Sequence, residues 1–502
     1  MSQFTITVSI SATEKAHSAL ARVLSEVLQS GVERLVCSGA KFLSQRISPQ
    51  AMFAFEGALQ KIGRELLRAI EECLLQHIEP AERDEAPARI RTGVLDEYRR
   101  RPKSKLALAT LFGVVRVHRF LYESLQEGEP SLFPLDSWIG VAAGHVSPAL
   151  AEKIARLAAD STQGELQKTL QHEHGVKLSV ERLRTVVAGV SRRIAPFVLR
   201  ARVQRVVQLL GAACSSRGRH PPTLAVGRDG CDIPIRSEKY KVASTATVSV
   251  LDRRGKRLGT VYLGQMPQEN QFSLTAELSE LLQGVLAAWS GPLPRLAYIT
   301  DSGYQETCYW SMLRKMRHPV TRERLAWKRM VDFYHVCQYV NRLGIALFGE
   351  GREAQRWFRK MRRWLRDEPR GAHRVLSSAS ALWTTRGPLH GKLLQEYRDC
   401  FRYLSKRLRF TDYFTCRRRG LPIGSGVTEA ACKIVFTQRF KRSGMTWTRD
   451  GGQHVLLLRT LTLSGLWSAV FHASLADGSK PDTGLTQRAN GPMTHVVLQN
   501  AA

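Results

Sequence analysis

Three carboxylates stand where a chain could gather ligands for a hard cation. Asp229 follows the strand-like run Leu224-Ala225-Val226-Gly227, and Asp301 follows a second run, Leu296 to Thr300. Glu429 falls in the first turns of a helix opened by Gly424-Ser425-Gly426. Two neighbouring strand ends and one helix can bring such distant side chains together. Oxygen ligands of this kind suit Mg2+ or Mn2+, which keep open positions for water and phosphate. Two such ions about 3.5–4 Å apart can activate a water or a 3′-hydroxyl for in-line phosphoryl transfer.

Each acid also has a plainer role open to it. Asp229-Gly230 reads equally as a turn after a strand, and Asp301 as a turn cap. Glu429 could favour the helix dipole or pair with Lys433 four residues on. A capping box would place the acid three residues after Ser425, where Thr428 stands instead. Asp332 and His335 are three apart, so on a helix they share a face. That pair could orient a water or meet a phosphate, or simply pack. The chain contains no G-x-x-x-x-G-K-[ST], G-x-S-x-G or H-E-x-x-H, so nothing points to ATP use, serine hydrolysis or a zinc protease.

The elements that must hold these residues follow from periodicity. Leu59, Ile62, Leu66 and Ile70 share one helical face in a mainly helical region 1–95, which ends in a linker-like stretch from Glu79 to Pro87. A β-like segment from Lys105 to Tyr122 precedes three expected helices, Pro148–Ala159, Gln163–His172 and Val180–Ile194. Gly175 supplies a turn between the last two and Ser179 an N-cap, so 96–200 fits a helix-turn-helix DNA reader or an ordinary bundle. Over 222–304 the predicted order is β-β-β-α-β, with strands at Ala246–Leu251 and Leu258–Leu263 and a helix at Leu274–Trp289. A basic helical insertion is expected at 305–420, the third acid's segment at 421–475, and a disordered tail at 476–502. The fold class predicted is therefore α/β, with a mixed sheet and a large helical insertion.

Composition narrows the partners. The 502 residues include 75 Lys and Arg against 44 Asp and Glu, a formal charge of +31 that a polyanion would relieve. Arg314–Arg374 has 17 basic residues against 6 acidic, and Cys400–Asp450 has 12 against 3. Aromatics are interleaved there (Trp357, Trp364, Tyr403, Phe410, Trp447 among them), as a surface that stacks on unpaired bases would need, although more than half should be core. Nucleic acid is the expected partner, with His335, Lys433, Arg439, Lys441 and Arg442 as candidate DNA contacts. Nine scattered cysteines without a C-x-x-C pair suggest reduced thiols and a cytoplasmic, nucleoid-associated protein. Val455–Leu475, the most apolar stretch, carries Arg459 and His472 and reads as a buried helix, not a membrane span.

Several blocks resemble bacterial insertion-sequence transposases of the Kra-four family. They are Arg228-Asp229-Gly230-Cys231-Asp232-Ile233-Pro234, Asp332-Phe333-Tyr334-His335, and Gly420 to Lys433 with Gln438-Arg439 and Ser443 to Trp447. The likeness covers about 222–470 and, more loosely, 95–195 through Pro134-Leu135-Asp136. It implies a DDE transposase with an RNase H-like core, in which Asp229, Asp301 and Glu429 hold Mg2+ or Mn2+. Cleavage at the element's terminal inverted repeats and transfer of the 3′-hydroxyl into target DNA are the implied reactions, in a homo-oligomer that pairs the ends. Asp301-Ser302-Gly303-Tyr304 departs from the Asp-Gly and nearby Trp expected after the fourth strand, and Tyr122–Pro130 lacks the cysteines of a zinc turn. A structure-specific nuclease on the same fold, or a domesticated DNA-binding regulator without activity, are the alternatives.

Overall fold

The computed structural model describes residues 15–78, 86–92, 96–126, 128–386 and 389–476. Most of the expected linker and all but the first residue of the expected tail lie outside them. The chain divides into two compact units, Met1–Ala195 with Phe471–Ala502, and Pro196–Val470.

In the first unit, α1 (Lys15–Leu43) and α2 (Pro49–Ile78) form an antiparallel pair. Phe42 stacks on Phe55 near the turn, while Arg34 pairs with Glu65 further along. Strands β1 (Arg89–Thr92), β2 (Asp96–Arg100) and β5 (Tyr122–Ser124) make a small antiparallel sheet; β3 (Ser104–Thr110) and β4 (Gly113–Arg119) make a separate hairpin. Helix α2 covers the open edge of β4. Its Glu72 accepts from the Arg116 amide, and Gln76 both accepts from the His118 amide and donates to its carbonyl. An exposed strand edge is thereby closed by side chains.

A short helix, α3 (Pro134–Trp138), buries Asp136 against Arg119. Helices α4 (Pro148–Asp160), α5 (Gln163–His174) and α6 (Val180–Cys214) follow. Their boundaries obey local rules: Ser147 caps α4, Thr162 and Glu165 form a capping box on α5, and Gly175 ends α5 in the left-handed conformation with φ 65°. The third helix is much longer than its expected end at Ile194 and spans the division between the units.

The second unit is built on a five-stranded mixed sheet. Its members are β6 (Thr223–Ile235), β7 (Lys239–Leu251), β8 (Arg257–Gln265), β9 (Arg295–Thr300) and β10 (Trp327–Val331), in spatial order β10-β9-β6-β7-β8. The first three run antiparallel, and β9 lies parallel to both β6 and β10. Helix α7 (Phe272–Ala288) crosses between β8 and β9, so the expected β-β-β-α-β order is present. Leu274, Leu278, Leu281, Leu282 and Val285 of α7 pack on Val226, Val248, Val261, Leu263, Leu296 and Tyr298 to form the main core. The alternate residues Ala225, Ala297 and Ile299 face the other side of the sheet, with Met330, Cys416 and Leu421. Burial on both faces explains why Leu296–Thr300 is a continuous apolar run closed by Thr300 rather than an alternation.

Two differences from the sequence reading concern the sheet. Asp229 does not end its strand: β6 continues to Ile235, and Asp229 pairs with Thr245 in mid-ladder. The Asp-Gly dipeptide suggested a turn, but the long antiparallel partner β7 holds the backbone extended. Residues 305–420 are also not helical throughout. After α8 (Tyr304–Leu313) the chain returns to the sheet as β10, and only then enters the helices α9 (Phe333–Phe348), α10 (Arg352–Asp367), α11 (Gly371–Arg386), α12 (Gly391–Arg407) and α13 (Tyr413–Arg418). Lys328 and Arg329 inside Trp327–Val331 mask a strand that sequence periodicity could not reveal.

Helix α14 (Gly426–Ala431) continues through a π-helical turn, Cys432–Thr437, into α15 (Gln438–Phe440). The last helices are α16 (Arg449–Leu463) and α17 (Trp467–Ala476), so Val455–Leu475 is two helices broken near Gly465, not one. Gly465 sits at φ 66°, which stops α16. No single helix among the described residues is long and apolar enough to cross a membrane; only this bent pair passes that test jointly. Arg459 is buried within it and donates to the Ile434 carbonyl.

Candidate metal centre

The parallel strands β9 and β10 deliver one acid each at their carboxyl ends. Asp301 directly follows Thr300, and Asp332 directly follows Val331. The two ends are stitched together by the Asp332 amide, which donates to the Thr300 carbonyl at 3.0 Å. The third acid, Glu429, comes from α14. Ligand oxygens of Asp301, Asp332 and Glu429 all lie within 4.8 Å of one another, a grouping suited to a metal ion.

Asp332 is fully buried and caps α9. Its Oδ1 accepts from the His335 amide at 2.6 Å, and its Oδ2 accepts from the Ser425 amide. The second bond joins the end of β10 to the loop that opens α14. Asp332 is thus a clamp between two acid-bearing segments as well as a member of the cluster. Sequence spacing placed Asp332 and His335 on one helical face. The structure puts Asp332 just outside the helix, where it bonds the backbone of His335, and leaves the imidazole free to approach Asp301. His335 Nδ1 stands 3.5 Å from Asp301 Oδ2.

The loop carrying Asp301 is held from outside the sheet. Tyr403 donates its hydroxyl to the Asp301 carbonyl at 3.2 Å, and Arg407 donates to the Ser302 carbonyl at 3.2 Å. Tyr403 stacks flat on Tyr339, with centroids 3.6 Å apart, and the Arg407 guanidinium lies 3.8 Å over its other face. Ser302 is buried with φ 69°, a left-handed conformation unusual for a residue with a Cβ. Such strain persists only where surrounding structure over-determines it. Here the Tyr403 and Arg407 bonds, with Arg329 donating to Ser302 Oγ at 2.8 Å, do so.

Asp229 lies on the neighbouring strand β6 and is half-buried, but its oxygens are not in the tight triad. Oδ1 accepts from the Gly230 amide at 2.7 Å, and Oδ2 accepts from the Cys432 thiol at 3.1 Å. Burial and the adjoining Asp229 push the Cys432 thiol up, so it remains a donor. Electrostatics nevertheless tie Asp229 to the cluster. Burial pushes the Asp301 carboxyl above its usual range; His335 draws it down, while Asp229 and Asp332 push it up. Glu429 is raised by burial and then by Asp332, Asp301 and Asp229. Asp229 itself is raised mainly by burial, with Glu306 adding to it.

Of the sequence candidates, then, Asp301 and Glu429 meet, Asp229 stands beside them, and Asp332 completes the triad. Glu306, in the first turn of α8, is a fifth acid that sequence reasoning missed. Burial and Asp301 push it up, and Arg228 and Arg329 pull it down. Its one readable signal was its position five residues beyond Asp301, at a helix start.

Three carboxylates within 4.8 Å of one another, with Asp229 beside them, make a hard oxygen donor set of the kind that suits Mg2+ or Mn2+ rather than softer metals. Ser425 adds a physical hint: its Oγ is buried beside the Asp301 carboxylate and makes no well-aligned hydrogen bond. No other grouping of three His, Cys, Asp or Glu within metal-holding reach occurs among the described residues.

The basic candidates separate. Lys433 and Lys441 are exposed and Arg442 is half-buried, donating to the Gln438 carbonyl. Arg439 is buried, with its guanidinium 4.9 Å from the centre of the Trp447 ring, so it belongs to the core. Of the interleaved aromatics, Trp357, Tyr413, Phe436 and Phe440 are buried in the core, and Phe358, Trp364, Tyr403, Phe410, Phe414 and Trp447 are half-buried.

No family model matches the chain. It is similar to a Streptococcus gallolyticus protein named "UPF0236 protein in vanSb 3'region", with 24% identity over 380 residues, 72% of this chain and 74% of that protein.

Proposed function

We propose that the chain is a metal-dependent DNA phosphoryl transferase, a DDE-type transposase with an RNase H-like core. One observation carries the reading: acids from the ends of two parallel strands and from a helix distant in sequence converge within 4.8 Å. The β-β-β-α-β order with parallel fourth and fifth strands, and the charge of +31, support it. The resemblance of Gly420 to Lys433, Gln438-Arg439 and Ser443 to Trp447 to insertion-sequence transposases supports the link, with terminal inverted repeats and target DNA as substrates and a homo-oligomer pairing the ends as what it implies.

Asp301, Asp332 and Glu429 would hold Mg2+ or Mn2+, with Asp229 adjoining. Bound there, the ions would supply activation of a water or 3′-hydroxyl and stabilisation of the leaving oxygen. The chain's own work is positioning. Asp332 fixes the spacing of the two segments through the His335 and Ser425 amides, and Tyr403 and Arg407 fix the Asp301 loop. His335, next to Asp301, is placed to steady that carboxylate or to meet a phosphate oxygen. Phosphoryl transfer depends mainly on such positioning and on charge stabilisation.

The test is strand cleavage and joining on DNA carrying the element's ends, with Mg2+ or Mn2+. Glu429→Gln and Asp301→Asn should lower cleavage by roughly a thousandfold or more while duplex affinity stays within about twofold. Unimpaired cleavage by either variant removes that residue from the site. Cleavage without joining would favour a structure-specific nuclease, and binding without any metal-stimulated chemistry a domesticated regulator.

A further inference from the structure

Helix α10 carries a second chemistry, away from any acid cluster. Its sequence, Arg-Glu-Ala-Gln-Arg-Trp-Phe-Arg-Lys-Met-Arg-Arg-Trp-Leu-Arg-Asp, divides cleanly into two faces. Ala354, Trp357, Met361 and Leu365 are buried; at 100° per residue they form one stripe. Arg352, Arg356, Arg359 and Arg363 are exposed and fall on the opposite stripe. Three nearby acids are engaged elsewhere, Glu353 with Arg386, Asp367 with Arg366 and Arg417, and Glu368 with Arg374, and the exposed Glu350 just before the helix forms no ion pair with the four arginines. Among the described residues none of the four arginines has an ion-pair partner.

Four unneutralised guanidinium groups in a row repel one another, and packing does not require them. A cleft of about 450 Å³ opens on this face, lined by Arg359, Lys360, Arg363 and Trp364. The Lys360 ammonium rests 4.8 Å from the centre of the Trp364 ring, which holds the charge at the cleft's edge. From Arg352 to Arg363 the stripe spans about 16 Å at 1.5 Å per residue. That exceeds the roughly 12 Å major groove and the roughly 6 Å minor groove of B-DNA. Its ends can therefore reach phosphates on both strands across one groove.

We propose that the arginine face of α10 is a duplex-DNA backbone grip, which holds DNA without reading its sequence. It deepens the reading above only in taking DNA as the polyanion, and needs neither metal nor cleavage. Binding is measured for the full chain by fluorescence anisotropy with a random-sequence duplex, in EDTA, across a salt series. Each lost phosphate contact should reduce the slope of log K against log salt by about 0.9. Arg356→Gln/Arg359→Gln/Arg363→Gln should thus flatten it by nearly three and weaken binding roughly a hundredfold near 0.15 M salt. Arg→Lys at the same three positions should restore most of both.

The comparison variant Arg398→Gln/Arg402→Gln/Lys406→Gln removes equal charge from exposed positions on α12, and should alter the slope by less than one. Equal losses in the two triple variants, or an unchanged slope in the first, overturn the proposal. Tighter, α10-dependent binding of single-stranded RNA than of duplex DNA would overturn it as well. Should the first triple variant melt early, Arg359→Gln alone still reads a step of about 0.9. Because EDTA abolishes metal chemistry, inactivity of the acid cluster would not affect this result, nor would a dead grip explain lost cleavage at saturating DNA.

Discussion

The acid cluster and the arginine face of α10 are opposite solutions to placing charge. The cluster collects like charges from Asp301, Asp332 and Glu429, of which Asp332 is buried and Asp301 half-buried, and tolerates their repulsion because the sheet and two backbone amides fix them. The α10 face displays like charges in a row on one helix, fully in water, where repulsion is screened. In the first case the fold imposes proximity and a cation must relieve it. In the second, local helix geometry imposes it and a polyanion relieves it. The difference teaches where each can be broken: the cluster through its scaffold, the helix only through its own side chains.

The largest effect on this contrast is expected at Asp332. Asp332→Ala orphans the His335 and Ser425 amides and removes the α9 cap, so it should cost about 2–4 kcal/mol in urea unfolding along with activity. Asp332→Asn, which keeps an acceptor oxygen, should recover part of the stability but not the cleavage. Equal, small losses for both would mean the clamp is not what spaces the two strand ends.

Metal and pH come next. Asp301, Glu429 and Asp229 are each raised above their ordinary 3.8 or 4.5 in the folded chain. The native state then binds more protons than the unfolded one between those ordinary values and the raised ones. Without metal, this group should therefore gain stability as pH falls through that window and level off below it. Mg2+ or Mn2+ should reverse the trend, raising Tm more at pH 7.5 than at pH 5, as followed by thermal melts. Arg356→Gln/Arg359→Gln/Arg363→Gln should leave that metal-induced shift untouched. A metal shift independent of pH would separate the ion from these carboxylates.

The smallest effect is assigned to Tyr403→Phe. It keeps the stack on Tyr339 but loses the bond to the Asp301 carbonyl, worth about 0.5–1.5 kcal/mol. A several-fold weaker metal affinity, read by the same melts, is expected with binding of DNA unchanged. An identical metal response would show that the stack alone holds the loop.

The two regions were unequally legible. The α10 region was legible as part of a basic helical insertion with interleaved aromatics such as Trp357 and Trp364, because charge and helical pattern are local, but its two faces were not resolved. Sheet strands with apolar runs, such as Leu296–Thr300, were equally readable, and so was the acid that follows. Asp229 was found but misplaced, because an Asp-Gly turn signal is weaker than thirteen residues of pairing with β7. Asp332 was noticed for the wrong reason: spacing suggested a side-chain partnership with His335, whereas the bond goes to its backbone. Strand β10 stayed hidden because Lys328 and Arg329 interrupt its apolar pattern, and with it the second strand end of the triad. Register and capping between segments a hundred residues apart leave no local trace.

The π-helical turn between Glu429 and Phe440 has a mechanical consequence. A widened turn shifts the angular phase of everything after it, so the acid end and the end anchored by Phe436 and Phe440 face directions that a regular α-helix could not combine. Excising a single residue from Cys432–Thr437 would straighten the rod and swing Glu429 by about a quarter turn relative to its anchors. One backbone step thus keeps the two ends in independent alignment.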